Sequence, residues 1–271
     1  MKATKYIKYL IASAVLATLL MTTACNSELN PAIMASEIQE DVTSTKSYDT
    51  AVFKEIQRNI NLVTTLKDKM ANASKDEEPP TLEESIRDIK RVTESYENLA
   101  SRKDEIDQYF KNKVGAVKEM QSHVEAEVSA LNQRIAEYNR QLREIQMETT
   151  DAETMRTRKK ALTQAIEYVQ MQINLWGNFY QLGAGIASEM ETVQQHVNNF
   201  IGMIESSSIL FREGLNLLQL QKNINDALAL FTVDIPTIQK LTTDMEKSWS
   251  TLDYLIESLT ALTTKIETQE Q

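Results

Sequence analysis

Between Pro80 and Pro236 the chain runs 155 residues without a proline, and no glycine occurs before Gly115. Proline removes a helix donor and clashes with the preceding turn, and glycine costs about 1 kcal/mol against alanine inside a helix. A stretch this long, free of one breaker and thin in the other, can hold very long helices. Gln, Glu, Ala, Leu, Lys and Met are abundant in it, and these are good helix formers. Alternating apolar and polar runs bounded by turn residues, the mark of strands, are absent. The sequence therefore predicts an all-α fold.

Four helices are expected, at about 48–72, 81–149, 151–231 and 235–268. The first carries Val52, Ile56, Ile60, Val63, Leu66 and Met70, spaced by three and four so that they form one stripe. A charged break ending in Pro79-Pro80 precedes Thr81 and Glu84, the two ends of a capping box that opens the second. From Val124 its stripe becomes strict, through Val128, Leu131, Ile135, Tyr138, Leu142 and Ile145, which is a coiled-coil seam. Thr150 and Glu153 form another capping box, and the third helix carries Met155, Leu162, Ile166, Val169, Ile173, Trp176 and Tyr180. Past Gly183 and Gly185 the seam resumes one residue out of step with Ile186, Met190, Val193, Val197 and Phe200. Asp234 with Pro236 marks the start of the fourth.

About two residues separate the second and third helices, so these fold back as an antiparallel hairpin with its tip near Thr150. Each arm is about 70 residues, roughly 100 Å long at 1.5 Å per residue. A residue a given number of places before the tip then lies level with one the same number after it. On that rule both short helices stop at one height, near Ile106. The expected architecture is an elongated antiparallel bundle, a four-helix base with a long two-helix coiled-coil hairpin. The same rule sets Gly115 level with Gly185, a candidate hinge or close approach of backbones.

The N-terminus has its own grammar. Lys2, Lys5 and Lys8 stand without an acid, an apolar run extends from Leu10 to Met21, and Thr22, Thr23 and Ala24 lead into Cys25, the only cysteine. The charged start, short apolar middle and small-residue exit are those of a secretory signal peptide, and the middle falls short of the roughly 20 apolar residues of a membrane span. A cysteine directly after Thr-Ala resembles the lipobox of bacterial lipoproteins, although Thr22 stands where Leu is usual. The resemblance covers about the first tenth of the chain. It implies a leader at 1–24, lipidation of Cys25, and a lipid-anchored protein of the bacterial cell envelope. Asn26, rather than Asp, after the cysteine implies the outer membrane of a two-membrane cell, or the outer face of the membrane in a one-membrane cell. Residues 25–47 read as the lipidated cysteine and its tether, and 48–271 as a single helical-bundle domain.

Removing residues 1–24 takes away three lysines and no acid, so the formal charge moves from −10 to −13. Duplex binding rests on neutralising phosphates with Lys and Arg, so nucleic acid is not expected as a partner. The exception to the acidic balance is the tip. Residues 134–160 hold seven cations against five anions, and Arg156, Arg158, Lys159 and Lys160 cluster there. They form a candidate contact for anionic lipid or cell-wall polymer, or else an ordinary solvated helical face.

Tyr168 to Ser188 is the longest uncharged stretch beyond the leader, and it contains Trp176, Phe179 and Tyr180. Two readings compete. It is a contact face for a protein partner or a second copy, or it is core covered by the short helices. Five side-chain amides make it a poor spanning segment. No catalytic constellation is legible: His123 and His196 lack further ligands at any known spacing, and phosphate loops and nucleophile elbows are absent. No enzyme, cofactor or metal is expected. The chain reads as a non-enzymatic, lipid-anchored rod that binds or spaces another envelope component. A membrane-active, pore-forming-like helical bundle is the alternative.

Overall fold

The computed structural model describes residues 30–72, 81–146, 151–221, 229–230 and 234–270. The expected leader, Cys25, Thr150 and the expected end of the third helix near Phe231 lie outside the described residues. The fold is an all-α helical bundle, with no strand among the described residues. Its helices are α1 (Pro31–Asn72), α2 (Leu82–Ser101), α3 (Lys103–Ile145), α4 (Ala152–Gln221) and α5 (Ile235–Glu270).

The first helix departs most from expectation, because it begins at Pro31 instead of Tyr48. The side-chain oxygen of Asn30 accepts from the backbone N–H of Ala32 at 2.9 Å and of Ile33 at 3.4 Å, and Pro31 occupies the first helical position. Asparagine as N-cap followed by proline is a strong helix start. The stripe that holds this helix down is Met34, Ile38, Val42, Thr45, Asp49, Val52 and Ile56, all buried. Two of those positions are polar. They interrupt the apolar periodicity, which is why the segment reads as a tether in the sequence.

The expected second helix is divided at Arg102, whose backbone sits at φ −91°, ψ 3° and whose N–H donates to the Leu99 carbonyl. No glycine or proline marks the place. The capping box at Thr81 and Glu84 is present with both hydrogen bonds, at 3.2 and 3.0 Å. At α4 the cap is Asp151, which accepts from Glu153 N–H at 2.9 Å and from the Thr154 hydroxyl. Asp234 caps α5 by accepting from Thr237 N–H at 3.1 Å.

The chain divides into two compact units. Unit 2 comprises Glu40–Gly115 and Ala187–Tyr254. Polar contacts fix the helix directions inside it. On α1, Asp41 pairs with Lys113, Glu55 with Arg102 and Asn59 with Ser95, so α1 runs antiparallel to α2 and α3. On α4, Gln194 and Asn198 both donate to Asp107, and Arg212 pairs with Glu97, so α4 is antiparallel to them as well. Lys46 meets Asp253 and Asp49 meets Trp249, which makes α5 antiparallel to α1. With α2 and α3 following one another along a single side, α1, α4 and α5 complete a core of four helical sides, with ring pairs Phe53–Phe200 at 5.1 Å and Tyr96–Phe211 at 4.9 Å inside it.

Unit 1 comprises residues 30–39, 116–186 and 255–270. Met34, Ala35 and Ile38 of α1 are buried in it, as are Leu259 and Leu262 of α5. The first helix therefore reaches past the height near Ile106 at which the sequence stops it. Leu255 of α5 lies against Gly185, where an added Cβ would meet its methyl groups at 3.4 Å. Nearer the α3–α4 connection, the buried residues are Leu131, Tyr138 and Ile145 on one helix and Leu162, Val169 and Trp176 on the other, each series recurring every seven residues. The seam residues between them, such as Ile135, Leu142, Ile166 and Ile173, are only half-buried. A seam closed by a single partner helix leaves that signature.

Candidate functional site

The uncharged stretch is core. Trp176 is 7% exposed and Phe179 2%, their rings meet edge to face at 5.7 Å, and Tyr180 is half-buried. Gly183 is buried with the Gln121 side chain 3.4 Å from where its Cβ would stand, and Ile186 is fully buried. The expectation of a contact face at Trp176, Phe179 and Tyr180 is corrected accordingly. At the end of the stretch Leu255 of α5, in the same unit, lies against Gly185, a cover that a two-helix hairpin lacks. What the stretch exposes is the amides Gln170, Asn174, Asn178 and Gln181, with Ser188 at its end.

The two candidate hinge glycines differ from each other. An added Cβ at Gly115 would meet nothing within 4 Å, so close backbone approach does not explain that glycine. Gly185 stands in contact range of Leu255. The boundaries of the compact units fall at Gly115/Ala116 and Ile186/Ala187, next to these two residues.

The basic cluster survives as a surface feature. Asp151 starts α4, and Met155 and Leu162 turn inward, half-buried and buried. The opposite stripe then carries Arg156, Lys159, Lys160, Thr163, Gln164 and Glu167, spaced by three and four, and these six line a cleft of about 420 Å³. All six are exposed. Among the described residues, Arg156, Lys159 and Lys160 have no ion-pair partner, whereas Arg140 on α3 is held by Glu137 and Glu144, each at 2.7 Å. Arg158 is exposed as well. His123 is exposed and His196 half-buried, and among the described residues no group of three His, Cys, Asp or Glu side chains is placed to hold a metal ion. No described helix is long and apolar enough to cross a membrane.

A second polar site was not singled out in the sequence. Asp49, 3% exposed in unit 2, accepts from the indole N–H of Trp249 at 2.7 Å, while its other oxygen has no partner. Burial pushes its carboxyl up to about 6, against a smaller downward pull from Trp249. Asp107 in the same unit behaves in the opposite way. Hydrogen bonds from Lys111, Asn198 and Gln194 hold its carboxyl at about 2. The signal for Asp49 was its spacing, since it stands on the line from Val42 to Val52. No family model matches the chain, and neither the curated proteins nor the solved structures give a match.

Proposed function

We propose that the chain is a non-enzymatic lipoprotein of the bacterial cell envelope, a helical body held to a membrane by lipid on Cys25 that binds or spaces another envelope component. The observation that carries this reading is the single cysteine at the exit of a basic, then apolar, then small-residue leader. The start of α1 lends support. Only five residues separate Cys25 from Pro31, and the six extended steps between them span at most about 22 Å. The lipid would therefore hold the body against the membrane surface instead of on a long tether. Burial of Trp176 and Phe179 speaks for packing, not insertion, as the role of the uncharged stretch.

Replacement of Cys25 by alanine tests the reading. The variant is expected to lose radioactive fatty-acid label and to accumulate as precursor or as a soluble form. Each buried lipid CH₂ contributes about 0.8 kcal/mol, so two or three acyl chains hold a protein essentially permanently. A variant that partitions with membranes as the wild type does would refute the anchor.

A further inference from the structure

The geometry points to a docking strip for a flexible phosphodiester polymer without bases, of the poly(glycerol phosphate) kind, along Arg156, Lys159 and Lys160 of α4. The proposal rests on the envelope reading only for where such a polymer would be met. Three features argue for it. The three cations lie within five residues on one exposed stripe, and none has an ion-pair partner among the described residues. Arginine presents a planar fork that grips phosphate at two points, and lysine adds a mobile charge. Arg156 and Lys160 stand one turn apart, about 6 Å along the helix, so successive phosphates of a flexible chain can meet both. Gln164 continues the strip with an amide donor, and Glu167 ends it with a negative charge.

The shape and the company of the cleft select among polyanions. A bilayer contact gains from an apolar side chain that enters the headgroup layer. Among the described residues the exposed large apolar side chains are Ile33, Ile209, Leu220 and Tyr254, and none of them is on this strip. Single-stranded nucleic acid is held largely by stacking on aromatic rings, and no aromatic residue lines the cleft. An open, cationic strip along one helix with neither feature fits a bare phosphate chain.

The test uses the full-length chain in a neutral detergent, with poly(glycerol phosphate) as probe and titration at several salt concentrations. The triple variant Arg156→Gln, Lys159→Gln, Lys160→Gln is expected to bind at least tenfold more weakly. The logarithmic salt slope should fall by about 2, three cations at about 0.7 each for a single flexible polyanion. A control triple, Lys54→Gln, Arg58→Gln, Arg91→Gln, removes the same charge from exposed sites elsewhere. It should bind within twofold of the wild type. Failure of the wild type to bind the polymer overturns the proposal, as does equal weakening in both triples. Tighter binding to phosphatidylglycerol vesicles than to the polymer at equal phosphate, lost in the first triple, reassigns the strip to a bilayer. The Cys25→Ala chain in the same titration keeps the two readings apart. It should bind the polymer as the wild type does, whether or not the lipid anchor exists.

Discussion

Unit 2 and the seam of unit 1 nearest the α3–α4 connection are built from the same helices in opposite ways. Along that seam one described residue in seven is buried, and the seam residues between are half-buried. The buried seam positions Leu131, Ile145, Leu162, Val169 and Trp176 are apolar or aromatic, although Gln172 beside them buries its side-chain oxygen. In unit 2 almost every seam position is closed. Met190, Val193, Val197, Phe200, Ile201 and Ile204 are all at most 5% exposed, and Thr45, Asp49, Asn59, Thr93, Ser208 and Ser248 are buried beside them. A heptad seam with one partner tolerates sliding, because each layer resembles the next. Buried polar groups that need particular partners, such as Asn59 with Ser95 and Asp49 with Trp249, penalise every register but one. The difference teaches that in this chain the seam supplies length and unit 2 supplies register.

The largest effect expected from breaking that division is at Phe179, where the two kinds of packing meet in unit 1. Phe179→Glu places a carboxylate in a site 2% exposed and removes the ring against Trp176. The loss should be about 4 kcal/mol or more, read in chemical denaturation. Asn178→Lys beside it is exposed and should change stability by less than about 0.5 kcal/mol. If the first variant melts as the wild type does, the stretch is a surface after all.

A matched pair measures the contrast itself. Met190 in unit 2 and Leu131 on the seam are both essentially inaccessible, at 0% and 1%. Cavity costs for such truncations run at about 2–5 kcal/mol, and the cost falls where the site can collapse. Met190→Ala is expected at about 3–4 kcal/mol and Leu131→Ala at about 2, since half-open neighbours can close over the gap. Equal losses in the two variants would mean that the seam is as rigidly packed as unit 2.

Asp49 carries the pH dependence. Its folded form holds a proton between about 4 and 6 that the unfolded form, at 3.8, has already released. Stability therefore falls as pH rises through that window. The penalty is absent below 3.8 and complete above about 6, where it reaches about 3 kcal/mol. Asp107 runs the other way: the stabilisation it gains from Lys111, Asn198 and Gln194 is present above 3.8 and is lost as pH falls toward 2. Urea titrations should place the stability maximum between about pH 4 and 6. Asp49→Asn should raise stability at pH 7 by about 1–2 kcal/mol, less than the full penalty because its amide still needs an acceptor. A wild type whose midpoint does not move between pH 5 and 7 would remove Asp49 from the account.

Much of this was legible in the sequence, and the failures share a cause. The capping residues Thr81 and Asp234 and the seam from Val124 to Ile145 are written in local spacing, and the structure uses them as written. The start of α1 was hidden because Thr45 and Asp49 occupy core positions. Thr45 satisfies its hydroxyl on the Asp41 carbonyl at 2.7 Å, and Asp49 relies on a tryptophan 200 residues away. A periodicity argument counts apolar residues and cannot see a partner that distant. At the uncharged stretch the sequence fitted both a contact face and core, and the burial of Phe179 at 2% decides for core. The break at Arg102 has no residue-type signal at all.

The smallest effect expected is at Asn30, and it bears most directly on whether the two units behave separately. Asn30→Ala removes an acceptor for the N–H groups of Ala32 and Ile33 and should cost about 1 kcal/mol. Within α1, Met34, Ala35 and Ile38 lie in unit 1, whereas Val52, Ile56 and Ile60 lie in unit 2. If the units open separately, hydrogen exchange should speed up about fivefold at residues 34–38 and stay unchanged at 52–60, the factor that about 1 kcal/mol gives. Uniform acceleration from Met34 to Ile60 would mean that α1 opens as one cooperative element. The register held by Asp49 and Asn59 would then extend through the whole helix, and the contrast between the units would be one of packing alone.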